Sequence, residues 1–354
     1  MGMPNNFIPE NSIISKKEGI ILKSGNLSKV QHGGAMQVKS KTESGSLLDF
    51  SASLNPFPPE IGWDPSSVSI SEYPDDSYYD LKESIAANFG CRPGEICVGN
   101  GSIEVIRSFF HAVLDDGDRV AVDKHTFGEY QLSVALAGGS CVDGKFGDYN
   151  VRVICNPNNP TGSLIKKDEM KRIAEKEYDD DRLLFLDEAF MDLSDNDETL
   201  IGCTMPGVFI SRSITKSFSV PGIRFGFGIG EPELIEKIEI VRNPWTVNSY
   251  AAAYCIEAMK HCSELERSRE LIEYEKKWLY SRFKDLGLKF LPSHTNFILL
   301  KCPARASEFT AALLEHDIFV RDCTSFDLPY HIRIAIRKRE ENIQLMEAIE
   351  SCLR

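Results

Sequence analysis

The chain has 354 residues, too many for one simple core, which predicts two unequal domains. With 42% hydrophobic and 26% charged residues it reads as a soluble globular protein, and its formal net charge of -13 argues against nucleic acid and anionic membrane as partners. A small anionic ligand remains compatible with that charge where cations gather in one cleft.

The ten cysteines show neither C-x-x-C spacing nor a zinc pattern with histidine, so no metal site is expected and the thiols read as reduced ones of the cytoplasm. No apolar run is long enough to cross a bilayer, and the first residues lack the core and cleavage site of a signal peptide.

Residues 1–30 are polar and weakly patterned and read as an N-terminal arm; 31–72 are expected to form a segment joining the small domain, with Pro and Ser marking turns through 47–65. A large domain is expected over 73–243. It begins with a helix through 75–90, where Leu81, Ile85 and Phe89 share a face and Gly90 is the stop. A strand over 96–100 and a helix over 103–114 follow. The short apolar runs 119–123, 151–156, 183–189, 207–213 and 224–230 suit strands buried on both faces. Strands alternating with helices predict a mostly parallel α/β sheet flanked by helices. From 244 to 354 the pattern changes to long helices with strands at 296–301 and 331–336, which predicts a smaller α+β domain.

Ligands of open α/β sheets bind beyond the carboxyl ends of the strands. Four such ends carry chemistry here. GNGSIE (99–104) is a glycine turn opening a helix, whose N–H groups suit a phosphate. NPNNPTG (156–162) forces turns that aim side-chain amides. LLFLDEAF (183–190) ends a strand in Asp187, a carboxylate that needs a cationic partner if it is buried. SITKSFSVPGIRFGFG (213–228) sets Lys216 between hydroxyl residues; a lysine in a cleft can lose its proton and attack a carbonyl. Ser213 and Arg224 are positioned to hold a phosphate. The alternating glycines of GFGIG (226–230) are read as close packing.

Taken together, NPNNPTG, the acid of D-E-A-F, the Lys216 stretch with its P-G-x-R, and the late R-I-A-I-R resemble the fold-type-I pyridoxal-phosphate (PLP) enzymes of the aminotransferase superfamily, from about His32 to the C-terminus. The resemblance implies the PLP-dependent transferase fold, with 73–243 as the cofactor-binding domain. It implies that Lys216 bonds covalently to the cofactor, that Asp187 pairs with the pyridine nitrogen and that Asn159 donates to the ring 3-oxygen. Ser102 and Ile103, through backbone amides, join Ser213 and Arg224 around the cofactor phosphate. Phe127 stacks on the ring, with Tyr130 as the alternative. Tyr73 reaches the phosphate in a neighbouring subunit, so a homodimer with shared sites is implied. Phe190 departs from the tyrosine common at its position and removes one donor from the ring.

Within the superfamily the chain resembles threonine-phosphate decarboxylases most and histidinol-phosphate aminotransferases next. QHGGAM (31–36), LLDFSASLNPF (47–57), D-E-A-F, NPWTVNSYAA (243–252) and HIRIAIR (331–337) carry the first resemblance. It implies a small phosphorylated amino acid as substrate, decarboxylation of L-threonine O-3-phosphate for the aminopropanol linker of cobalamin, and substrate contacts from Arg321, Arg333, Arg337, His32, Asn296 and Asn248. Guanidinium groups suit both its carboxylate and its phosphate. Arg242 and Arg267 are expected on solvated faces or away from the cofactor.

Overall fold

The computed structural model describes residues 27–34, 47–144, 147–203 and 205–354. The expected arm therefore falls largely outside the described residues, as do Ala35 and Met36 of the H-G-G stretch.

The centre is a seven-stranded sheet. Its strands are β2 (Ile96–Gly99), β3 (Arg119–Val122), β4 (Ser140–Asp143), β5 (Val151–Cys155), β6 (Leu183–Asp187), β7 (Val208–Ser213) and β8 (Gly226–Ile229), in the order β2-β8-β7-β6-β5-β3-β4. Pairings from β7 to β4 are parallel, and β8 runs antiparallel to both its neighbours. The mostly parallel α/β architecture expected from the strand–helix alternation is thus present. The edge strand β4 escapes the sequence reading because three of its four residues are exposed and leave no apolar run.

Helices follow the periodicity. In α1 (Tyr79–Phe89) Leu81, Ile85 and Ala86 are buried, and Gly90 closes the helix in the left-handed region at φ 66°, its N–H bonding Ala86 O. In α2 (Ser102–Val113) Val105, Ile106, Phe109 and Phe110 are buried. They pack with Phe185 and Phe209 on one face of the sheet. Leu184, Leu186, Val208 and Ile210 alternate onto the other face, against Met170 and Ala174 of α4 (Lys167–Asp179). Residue parity therefore decides what each strand end presents. Asp187 emerges on the Phe185 side, and Glu188 turns the other way into a buried pair with Arg212, 2.8 Å apart.

The C-terminal part packs α8 (Leu265–Asp285) and α10 (Arg339–Cys352) against a three-stranded sheet. That sheet has β11 (Arg321–Asp322), β12 (His331–Ala335) and β9 (Phe297–Lys301) in the order β11-β12-β9. The N-terminal segment joins this region: β1 (Leu48–Asp49) pairs in parallel with β10 (Ile318–Phe319), and Phe50 lies in the same apolar cluster. Among the described residues no helix is long and apolar enough to cross a membrane.

Candidate active site

The four strand ends singled out above meet at one edge of the large sheet. The antiparallel β8 is the device that gathers them. Its first residue, Gly226, is the register partner of both Gly99 at the end of β2 and Ser213 at the end of β7. A Cβ on Gly226 would lie 2.3 Å from the Ser102 nitrogen, so a glycine is needed for α2 to begin there. Gly228 meets Phe209 at 2.1 Å in the same sense, which matches the close-packing reading of GFGIG.

Lys216 sits in the short helical turn α5 (Ile214–Ser217), capped by the Ser213 hydroxyl, which accepts from Thr215 N. Burial, with Arg333 and Arg224 nearby, lowers its ammonium from the ordinary 10.5 to about 8. The amine lies 6.0 Å from the Phe190 ring centroid. Phe190 in turn packs edge-on against Phe297 at 5.0 Å, forming an apolar wall beside the amine.

Asp187 is 3% exposed at the end of β6. Its carboxylate accepts from the Tyr130 hydroxyl at 2.6 Å and from Ala189 N at 3.0 Å. Burial nonetheless pushes its pKa up, so a cation close by would be bound with the gain that returns it to the charged form. Tyr130 itself is fully buried. It is therefore spent on the acid and corrects the alternative that it stacks on the ring; Phe127, half-buried and edge-on to Tyr130 at 5.6 Å, is the aromatic left at that place.

Do these residues fit PLP? The phosphate end does so by shape. Gly101 has φ 79°, and a Cβ there would lie 2.7 Å from Arg224 Nη2, so the guanidinium lies directly over the first turn of the twelve-residue α2. The Ser102 and Ile103 N–H groups belong to that turn and lack intrahelical acceptors. Ser213, the register partner of Gly226, completes the cup. An anion is matched by one guanidinium, a helix N-terminus and hydroxyls, a pyridine nitrogen by Asp187, and an aldehyde by Lys216.

A second cationic group faces this one. Arg333 is buried; its Nη1 donates to Asn159 Oδ1 and its Nη2 to Ser51 O at 2.9 Å. Its Nε is buried without an acceptor among the described residues. The bond from Arg333 leaves the Asn159 amide NH2 as that side chain's donor. Arg321, also buried, donates to Ser325 Oγ at 2.7 Å and to Gln31 O at 2.8 Å. The segment 27–34 thus crosses the site. Gly34 N bonds Ser51 Oγ, and His32 Nε2 lies 2.9 Å from Glu129 Oε1 and 6.0 Å, ring to ring, from Phe127. A Cβ on Gly33 would lie 2.5 Å from Ser51 O, and Gly34 has φ 122°, so each position of the pair favours glycine.

Other expected contacts are not drawn into this cluster. Arg337 donates to Glu341 and, at 2.8 Å, to Asp49 O, which ties β12 and α10 to the N-terminal segment. Asn296 is fully buried and donates to Ser53 O at 3.0 Å, pinning the same segment to β9. Asn248 caps α7 (Ser249–Met259) through Ala251 N. Each of the three has a structural task in the folded chain. Tyr73 is 78% exposed and stacks on Trp245 at 4.5 Å, away from the residues above. Arg267 pairs with Glu270 at the surface, as expected. Arg242 does not lie on a solvated face: it is buried between Asp76 and Glu239. The residues that sequence reading passed over are Tyr130 as the partner of Asp187, Ser51, Ser325 and Glu129. Only the first had a local signal, an aromatic one helical turn beyond Phe127.

Comparison with known proteins bears on the same region. A family model described as aminotransferase class I and II matches residues 65–349. A histidinol-phosphate aminotransferase of Symbiobacterium thermophilum is 29% identical over 303 residues, 81% of this chain and 84% of its own. A protein of Caldanaerobacter subterraneus subsp. tengcongensis, named provisionally as a threonine-phosphate decarboxylase, is 32% identical over 325 residues, 84% of this chain and 88% of its own. Among solved structures, the histidinol-phosphate aminotransferase from Clostridium acetobutylicum superposes with a TM-score of 0.78 at 26% identity, covering 86% of this chain and 99% of that one. The enzyme of that name from Sinorhizobium meliloti, in complex with pyridoxal-5'-phosphate, gives 0.80 at 22% identity, over 96% and 99%. The L-threonine-O-3-phosphate decarboxylase from Porphyromonas gingivalis gives 0.73 at 20%, over 86% and 98%.

Proposed function

The chain belongs to the aminotransferase class I and II family, whose fold and dependence on pyridoxal phosphate it shares, and from that premise we propose that it decarboxylates L-threonine O-3-phosphate to (R)-1-aminopropan-2-yl phosphate. One observation carries the choice of substrate. Arg321 and Arg333 are neighbours on adjacent strands, both buried, and among the described residues the hydrogen-bond acceptors that hold them are neutral. Buried cations whose hydrogen-bond acceptors carry no charge are costly, so the pair favours a ligand bearing two negative groups a short distance apart. Threonine phosphate has its carboxylate and phosphate on adjacent carbons. The relative at 32% identity carries the matching name.

When bound, the cofactor supplies an aldehyde for the substrate amine and a protonated ring that draws electrons from the substrate's Cα. Asp187 would hold the ring nitrogen, Asn159 the 3-oxygen, and Ser102, Ile103, Ser213 and Arg224 the phosphate. The chain's own residues do the rest. Arg333, next to Asn159 and with a free Nε, receives the carboxylate; Arg321 receives the phosphate. Phe190 and Phe297 exclude water beside the amine. Breaking the Cα–carboxylate bond releases carbon dioxide and leaves an electron pair that a proton must meet. Lys216 Nζ, with its lowered pKa of about 8, exchanges a proton near neutral pH far more readily than an ordinary lysine.

The second reading, a histidinol-phosphate aminotransferase, is favoured by the names of several relatives. One assay separates the two. Purified enzyme with L-threonine O-3-phosphate and no keto acid should release carbon dioxide stoichiometrically with aminopropanol phosphate. Transfer of the amino group from histidinol phosphate to 2-oxoglutarate, without carbon dioxide from threonine phosphate, would replace the first reading with the second. The proposed assembly is a homodimer in which Tyr73 of each subunit completes its partner's phosphate cup, for which its exposure leaves it available.

A further inference from the structure

The arginine assigned to the substrate phosphate is held by a turn outside the sheet that carries the cofactor residues. Arg321 Nη2 donates to Ser325 Oγ, and its guanidinium carbon stands 5.3 Å from the Phe326 ring centroid. Both residues belong to the 3-10 turn Thr324–Phe326. That turn is gripped from the opposite side by His125, whose Nδ1 lies 2.6 Å from Phe326 O. A carbonyl only accepts, so Nδ1 carries the proton.

His125 is itself aimed from the cofactor side. Its backbone has φ 53°, a conformation few non-glycine residues adopt. Its carbonyl accepts from Asn158 Nδ2 at 3.1 Å, and Asn158 Oδ1 accepts from Thr126 Oγ1 at 2.8 Å. Asn158 precedes Asn159 in NPNNPTG, and Phe127 follows Thr126 in the same loop. One imidazole therefore joins the loop that flanks the cofactor to the turn that orients Arg321, across 201 residues of sequence.

We propose that His125 is a positioning residue for substrate selection: by clamping Phe326 O it sets Ser325 and the Phe326 ring around Arg321, so that this guanidinium meets a phosphate. The inference rests on the reading of Arg321 as the phosphate partner. A residue that merely glued the two parts together would affect every ligand alike; this one affects the phosphorylated ligand alone.

The test uses the holoenzyme, with L-threonine O-3-phosphate and unphosphorylated L-threonine titrated separately and followed by the change in the cofactor's visible absorption. Cofactor retained after dialysis and the melting temperature are measured alongside. His125→Gly removes the ring at a backbone angle that glycine tolerates. It should raise the dissociation constant of threonine phosphate about tenfold, the scale of one hydrogen bond, and leave that of threonine and the retained cofactor unchanged. His125→Asn, which also tolerates the left-handed region and places an amide where Nδ1 stood, should restore most of the loss. Equal weakening of both ligands, failure of the asparagine rescue, or no change at all would overturn the proposal. Arg321→Gln separates the two levels of inference. If it weakens threonine phosphate and His125→Gly does not, the clamp is wrong and the reading of Arg321 stands. If neither does, both fall.

Discussion

Arg321 and Arg333 are direct register partners across the β11–β12 ladder, two buried guanidinium groups side by side in an antiparallel pair. Like charges placed opposite one another destabilise a sheet. Burial, with Arg321 nearby, lowers the Arg333 guanidinium to about 10, and burial pushes Arg321 downward also. The chain thus holds, without ligand, an arrangement that an anion relieves.

That cost makes a stability prediction opposite in sign to the functional one. Arg321→Met should leave the cofactor-free protein as stable as before or more stable, by about 1 kcal/mol, while threonine phosphate binds at least tenfold more weakly. Urea unfolding of the cofactor-free variant, set beside ligand titration of the loaded one, measures both. A stability loss of about 2 kcal/mol or more would mean that the arginine is structural.

Lys216→Ala should abolish turnover and covalent attachment, read as the loss of a borohydride-fixed cofactor mass on the peptide containing position 216. The lowered pKa adds a pH profile for the unsubstituted chain. The amine attacks only when neutral, so reloading of cofactor-free protein should accelerate as pH rises, with its midpoint near 8. At pH 7 roughly a tenth of such an amine is neutral, against about 0.03% of an ordinary lysine. Stopped-flow absorbance across pH 6–10 measures the curve; a midpoint near 10.5 would contradict the burial argument.

Tyr130→Phe deletes the hydroxyl that donates to Asp187. A donor to a carboxylate favours its charged form, so its loss moves Asp187 further toward the neutral acid and weakens its hold on a ring cation. A hydrogen bond to a charged group is worth about 1.5–3 kcal/mol. PLP should therefore dissociate roughly tenfold to a hundredfold more readily, measured by fluorescence as cofactor is diluted. Retention equal to that of the unsubstituted enzyme would assign Tyr130 to packing alone.

Gly101→Ala strains a residue at φ 79° and drives a methyl group toward Arg224 Nη2. The damage should fall on the phosphate. Affinity for PLP is expected to drop at least tenfold, while affinity for pyridoxal, which lacks the phosphate, changes little. Parallel losses for the two compounds would show that the substitution disturbs the whole site.

Much of this arrangement was legible in the chain. Lys216, Asp187, Asn159 and the Gly101–Ile103 turn each follow an apolar strand and carry turn residues that place them at its end, so local pattern and chemistry coincide. The α1 stop at Gly90 and the packing role of Gly226 and Gly228 were legible for the same reason: each is a contact or backbone angle that only glycine satisfies. The partners that Arg337, Asn248 and Asn296 take in the folded chain were not. The residue types of these three suit a ligand, and Glu341, Ala251 N and Ser53 O, which they engage, come to hand only in the folded chain. For Arg242 the residue order left a solvated face and a place away from the cofactor both open, and its burial against Asp76, 166 positions away, is decided only by the fold.

The amino-acid sequence by itself determined the layering of the sheet and the strand ends where the candidate residues stand, because apolar runs and turns act over a few neighbouring residues, and its motifs carried the resemblance that implied the cofactor class. Tertiary structure alone decided which side chains complete them: Tyr130 with Asp187, Arg321 beside Arg333, and His125 against Phe326. Those pairings depend on strand register and on loops docking across long stretches of chain, and neither leaves a periodic trace in the order of residues.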